Sequence, residues 1–354
     1  MGTGKDEKNA TQVVPLSPDQ IMDLFYHAST RELMDMGNLA CCQVHGRDIL
    51  LRGLIEFTNV CTNDCLYCGI RNSNHKANRY RMEASMILKA LQTGYDRGIR
   101  TFVLQGGEDP VYTIDRICGL VRQIKDLGKK DAAVTLSCGI RSREAYFKLA
   151  QAGADRYLLR FETADPKLHF LLRNIGLNDR LKALEDIRAA GFQVGSGYMV
   201  GLPGETRETR LENILLCQRL ELDMVGLGPF IPHPDTPLKH SFQHPLEHTL
   251  RSVALVRLAL PKAHIPATTA AGSLMPDGRE QMIAAGANVL MPNLTQDKFK
   301  QKYLLYPGKI CLNEKGIQDI ESLNQRIRPL NRNLSFARGD ALYHLTNMDT
   351  GEPK

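Results

Sequence analysis

Three cysteines fall within eight residues, Cys61-Thr-Asn-Asp-Cys65-Leu-Tyr-Cys68, in a C-x3-C-x2-C spacing. Thiolates are soft ligands suited to iron–sulfur clusters or zinc. Each iron of a 4Fe-4S cube normally takes one cysteine, so three local thiolates leave the fourth iron open. A small aminocarboxylate can chelate an open iron, and an electron passed through the cluster can break a bond in the molecule held there. Tyr67, next to the last cysteine, fits an aromatic edge beside a ligand's ring. Two plainer readings stand beside this one. Cys61, Cys65 and Cys68 with His75 would make a Cys3His zinc site, or the thiols are simply small buried hydrophobes. Structural zinc staples small domains, whereas a chain of 354 residues buries about three quarters of its surface unaided.

Other reactive types stand at the ends of apolar runs. Gly106 and Gly107, before Glu108, let a backbone come close to a ligand. Ser137 ends the run AAVTLS, where a hydroxyl can meet a ribose or carboxylate. Arg160 and Glu162 are two apart in LLRFET, so on a strand they face the same way. Facing outward they would lie under a helix, so an inward pair is expected, and a buried pair is costly without a functional partner. His233 and Asp235, in PHPDTP, read as a rigid Pro-rich turn and stay outside the site.

Eight apolar runs of strand length carry these residues: 49–57, then runs beginning near 100, 132, 156, 192, 224, 265 and 287. Amphipathic segments separate them, and several end in glycine. Strand–helix alternation implies parallel βα units, and eight such units predict a complete (β/α)8 TIM-type barrel. Its active site would be built from the loops at the C-terminal strand ends. Ahead of it, Ser17 with Pro18 starts one short helix and Thr30 marks another. The expected organisation is an N-terminal tail and helices over 1–45, a barrel over 46–310, and a C-terminal appendage over 311–354 with no second cluster site.

Composition closes off other classes. Forty-five basic against 39 acidic residues, with no basic run, argue against nucleic acid. No 18-residue apolar stretch spans a bilayer, and the N-terminus has no apolar signal segment. Nine cysteines, an odd number, fit a reducing compartment. The expectation is a cytoplasmic protein.

The segment C-x3-C-x-aromatic-C resembles the signature of radical S-adenosylmethionine (SAM) enzymes. Together with NRYRM, FVLQGGEDP, GADRYLLRFETADP, MVGLPGET, DMVGLGPFIPHPDTPL, IPATTA, GANVLMPN and YPGKIC it resembles the FeFe-hydrogenase maturases of the HydE type. Biotin synthase and methylornithine synthase are similar relatives. The resemblance implies a 4Fe-4S cluster on Cys61, Cys65 and Cys68, with SAM cleaved reductively to a 5′-deoxyadenosyl radical. It implies that the backbone of Gly106, Gly107 and Glu108 binds the methionyl amino group and Glu162 the ribose hydroxyls. Arg180 would take the SAM carboxylate, and Met199 would pack on adenine. Arg160, Thr268, Thr269, Tyr303 and Tyr306 would line the substrate end of the cavity. The implied substrate is a small molecule, an iron carbonyl cyanide species bearing cysteine, supplied by another hydrogenase maturase. A flavodoxin or ferredoxin would supply electrons.

One departure bears on the cofactor. Many such maturases carry two more cysteines after the equivalent of Cys311, but CLNEKGIQDIESL has none. One thiol cannot hold an accessory cluster, so a single 4Fe-4S centre is expected. Cys41, Cys42, Cys118, Cys217 and Cys311 then read as structural. The alternatives are a radical mutase or sulfur-insertion enzyme on an amino-acid-like substrate and, in another class, a zinc-stapled binding protein.

Overall fold

The computed structural model describes residues 13–128, 131–309 and 320–342; Cys311 lies outside them. Ser17 caps the helix Pro18–His27, its hydroxyl accepting from the Gln20 amide while the Gln20 side chain returns to the Ser17 amide. The second helix, Thr30–His45, is capped one residue earlier than Thr30 suggests. Ser29 and Glu32 close the same reciprocal box there.

The first apolar run divides at Arg52 into β1 (Asp48–Leu51) and β2 (Gly53–Thr58). The following runs give β3 (Thr101–Gly106), β4 (Ala133–Ser137), β5 (Arg156–Leu158), β6 (Gln193–Ser196), β7 (Met199–Val200), β8 (Met224–Val225), β9 (Gly228–Pro229) and β10 (Val289–Leu290). A parallel sheet runs β2-β3-β4-β5-β6-β8. Isolated parallel bridges Met224–His264, Pro266–Val289 and Leu54–Asn293 carry the pairing onward and back to β2. The chain is thus an α/β barrel of eight parallel staves, six in a regular ladder and two joined by single bridges.

The runs are longer than the ladders for local reasons. FQVGSGYMV breaks at Gly197, at φ +143°, where a Cβ would stand 2.1 Å from the Gly226 carbonyl oxygen. The fourth stave ends at Leu158, and Glu162 is left-handed at φ 68°. A non-glycine residue in that region is uncommon and is held there by its surroundings. Here the Glu162 amide donates to Gly197 and its carbonyl accepts from Met199.

The lower, N-terminal ends of the strands are covered by residues 338–341, which follow β11 (Asn333–Ser335), itself paired with β1. Fully buried Arg156 donates to Asp340 at 2.7 Å, Gln193 at 2.9 Å, and the Arg338 and Gly339 carbonyls. Among the described residues no helix is long and apolar enough to cross a membrane.

Candidate active site

Strand register sets the upper rim. Glu56 on β2 pairs with Gln105 on β3, and Gln105 with Ser137 on β4, so three polar side chains share one level. Just above β2 comes the cysteine loop, and above β3 the Gly106–Gly107–Glu108 turn. The two are stitched together: Thr62 donates to the Glu108 carbonyl at 3.1 Å, and the Glu108 amide faces Cys61 Sγ at 3.4 Å. A Cβ on Gly107 would lie 2.2 Å from the Val60 carbonyl oxygen, so only glycine permits this approach.

A cavity of about 350 Å³ opens inside the barrel, within the usual size range of small-molecule sites. It is lined by Cys61, Cys65 and Cys68, and by Tyr67, Gly106, Gly107, Glu108, Ser137, Glu162, Arg180 and Met199. Arg160, Thr268, Thr269, Tyr303 and Tyr306 line it as well. Every residue expected at the cluster, SAM or substrate positions therefore borders one space, whereas His75 does not. Cys41, Cys118 and Cys217 are buried and Cys42 is half-buried, all outside that lining.

The expected Arg160–Glu162 pair forms, the guanidinium donating to one carboxylate oxygen at 2.6 and 3.0 Å. It sits beyond β5, with Glu162 on left-handed backbone, rather than on a regular strand. Thr269 and Tyr306 share a hydrogen bond at 2.6 Å, and Gln105 donates to the Tyr303 hydroxyl at 3.3 Å.

Burial pushes the Cys65 and Cys68 thiols up, so the metal-free side chains hold their protons; metal binding must displace them. Arg180 is lowered by burial and then by the charge of Arg173. The buried Nε atoms of Arg173 and Arg180 have no hydrogen-bond partner among the described residues. Two such donors beside one cavity suit an anionic ligand group.

No three His, Cys, Asp or Glu side chains among the described residues converge on one ion-sized position, and His75 is exposed. A cluster that gives each thiolate its own iron needs no such convergence.

Sequence reasoning passed over Arg173, which donates to the Tyr67 hydroxyl and stands 3.6 Å from Glu162. Its signal was available: on the helix Pro166–Arg173 it lies one turn after buried His169, on the inward face. Glu56 and Lys309, a buried ion pair in the cavity wall, were also missed. His233 packs its ring on Gly69, where a Cβ would fall 2.6 Å from Nε2, and Asp235 pairs with Lys76 at 2.8 Å.

Comparison with known proteins gives concordant matches. Residues 55–217 match the Radical SAM superfamily and residues 228–314 the Biotin and Thiamin Synthesis associated domain. The chain is 46% identical over 288 residues to the [FeFe] hydrogenase maturase subunit HydE of Thermotoga maritima, covering 81% of this chain and 82% of that protein. It is 27% identical over 286 residues to 3-methylornithine synthase of Methanosarcina acetivorans, covering 80% and 79%. Among solved structures, methylornithine synthase (PylB) superposes with a TM-score of 0.77 at 23% identity, covering 91% and 95%. The hydrogenase maturase HydG of Carboxydothermus hydrogenoformans gives 0.75 at 17%, covering 92% and 77%. These two likenesses speak to the fold alone.

Proposed function

This chain belongs to the radical SAM superfamily, in the family of the [FeFe] hydrogenase maturase subunit HydE, and from that premise we propose that it acts in maturation of the FeFe-hydrogenase diiron cofactor. It does so on a single 4Fe-4S cluster held by Cys61, Cys65 and Cys68. The observation that carries the reading is the shared cavity, bordered by the three thiols and by polar groups suited to SAM. The donor set fits: three thiols occupy adjoining loop positions, with buried guanidinium nitrogens at the same cavity that have no partner among the described residues.

When bound, the cluster supplies the electron that splits a sulfonium C–S bond of SAM and yields a 5′-deoxyadenosyl radical. The chain's residues do the rest. Arg180, with Arg173 beside it, receives the SAM carboxylate; the backbone of Gly106, Gly107 and Glu108 accepts its ammonium. Glu162 takes the ribose hydroxyls. Arg160 and Arg173, paired with its two oxygens, fix its direction. Met199 and Tyr67 flank the adenine, and Ser137 offers a hydroxyl to the ribose or carboxylate. Thr268, Thr269, Tyr303 and Tyr306 hold the small substrate, and the barrel wall keeps water from the radical.

The substrate under this reading is a cysteine-bearing iron carbonyl cyanide precursor delivered by a partner maturase. A flavodoxin or ferredoxin in the cytoplasm serves as reductant. Residues 46–310 carry the catalysis. The test is an anaerobic assay of the reconstituted chain with SAM, reductant and either the iron precursor or lysine. Consumption of the iron precursor is the expected result. Turnover of lysine to methylornithine, with the iron precursor left intact, would replace the reading with that of a mutase.

A further inference from the structure

Arg79, in the NRYRM segment, lies outside the cavity lining, yet the cysteine loop is folded around it. Its Nη1 donates to the Asn59 carbonyl at 2.7 Å and to the Ile70 carbonyl at 2.8 Å. Its Nη2 donates to the Arg71 carbonyl at 2.6 Å and the Asn74 carbonyl at 3.1 Å, with Asn72 at 3.5 Å. These acceptors bracket Cys61, Cys65 and Cys68 on both sides in sequence. The nearest of them to Cys68, Ile70, lies two residues after it. A second clasp acts alongside: Asn59 donates to the Asn78 and Lys302 carbonyls, and Asn74 to the Gly69 carbonyl. Arg79 makes no ion pair among the described residues, in contrast to Arg81, which is held by Asp109 at 2.7 and 3.0 Å. A planar guanidinium is suited to gathering several carbonyls in one plane, which a lysine ammonium is not.

We infer that Arg79 is the positioning residue of the thiolate loop: its guanidinium gathers the carbonyls of Asn59, Ile70, Arg71 and Asn74, fixing the spacing in which Cys61, Cys65 and Cys68 share one cluster, and sets beside it a positive charge that no carboxylate among the described residues pairs. The inference rests on the three cysteines being cluster ligands. Outer partners of metal ligands commonly change retention about 10- to 100-fold, and nearby net charge tunes cluster potential. The two effects separate by substitution. Arg79→Gln removes both the charge and the fork; Arg79→Lys keeps the charge and loses the fork.

The test uses the full chain, reconstituted anaerobically with iron and sulfide. It measures cluster loss to an iron chelator, the midpoint potential by redox titration, and melting of the metal-free chain. The expected result for Arg79→Gln is cluster loss about tenfold faster and a potential shifted negative, with melting near that of the parent. Arg79→Lys is expected to keep the potential and still lose the cluster faster. Parental chelator resistance in Arg79→Lys overturns the inference, and that variant decides alone should Arg79→Gln fail to fold. If the parent chain takes up no iron and sulfide, the cluster reading fails and this inference with it. If the parent holds a cluster and both variants match it, only the role of Arg79 fails.

Discussion

At the lower end of the barrel Arg156 meets Asp340 at 2.7 Å and Gln193 at 2.9 Å, and Arg338 bridges Asp155 and Asp340. At the upper end Arg173 and Arg180 each keep a buried Nε with no partner among the described residues. Both ends bury arginine, but Arg156, unlike Arg173 and Arg180, finds a partner within the chain for each guanidinium nitrogen; its neighbour Arg52 donates to the Gly339 carbonyl and keeps a buried Nε with no partner among the described residues. A closed, paired network is what a structural plug requires. Incompletely paired donors around a cavity are costly in the free chain, and a ligand offsets that cost. The difference separates the end that holds the barrel shut from the end that receives a molecule.

Substitutions at the two ends should therefore fail differently. The largest effect is expected for Cys65→Ala, which should abolish iron and sulfide binding in anaerobic reconstitution while the barrel still folds. Arg180→Met should weaken SAM binding about 30-fold, roughly 2 kcal/mol, in calorimetric titration of the cluster-loaded chain. Its melting temperature should stay near the parent's. Asp340→Ala should do the reverse, costing about 3 kcal/mol in denaturant unfolding with SAM affinity unchanged. Equal losses in both assays for both variants would erase the contrast between the ends.

The lower end also predicts a pH response. Burial pushes the Asp340 carboxyl up, but Arg156, Gln193 and Arg338 outweigh it and hold it below its usual value near 3.8. A depressed carboxylate stabilises the fold fully above its unfolded value, and that contribution is lost as pH falls through the folded one. Stability of the parent should therefore drop below about pH 4, and Asp340→Asn should show a shallower acid limb in pH-dependent denaturation. The smallest effect is expected for Tyr306→Phe, which removes the bond to Thr269. It should weaken substrate binding about fivefold, near 1 kcal/mol, with SAM cleavage in the absence of substrate unchanged.

The two ends also differ in how far the sequence announces them. The cysteine loop was legible because its chemistry is local: three thiols in eight residues need no tertiary contact to be noticed. The eight staves were legible from alternation, but not their lengths, because an apolar run does not reveal where Gly197 or Glu162 leaves the extended region. Arg160 and Glu162 were legible as a pair by their spacing of two, while the left-handed backbone at Glu162 was not. Arg79 and the strap at 338–341 left no local trace, since each acts through carbonyls and carboxylates brought in from elsewhere in the chain. Ser29 was overlooked for adjacent Thr30, a one-residue slip that only the cap geometry resolves.

The account turns on the upper end being a site for reductive SAM cleavage, and 5′-deoxyadenosine release measures that directly. Anaerobic chain loaded with iron and sulfide should form 5′-deoxyadenosine from SAM when a reductant is added, and Cys65→Ala treated identically should form none. Equal yields from the two proteins, or no 5′-deoxyadenosine from a parent chain that holds its iron and sulfide, would contradict it.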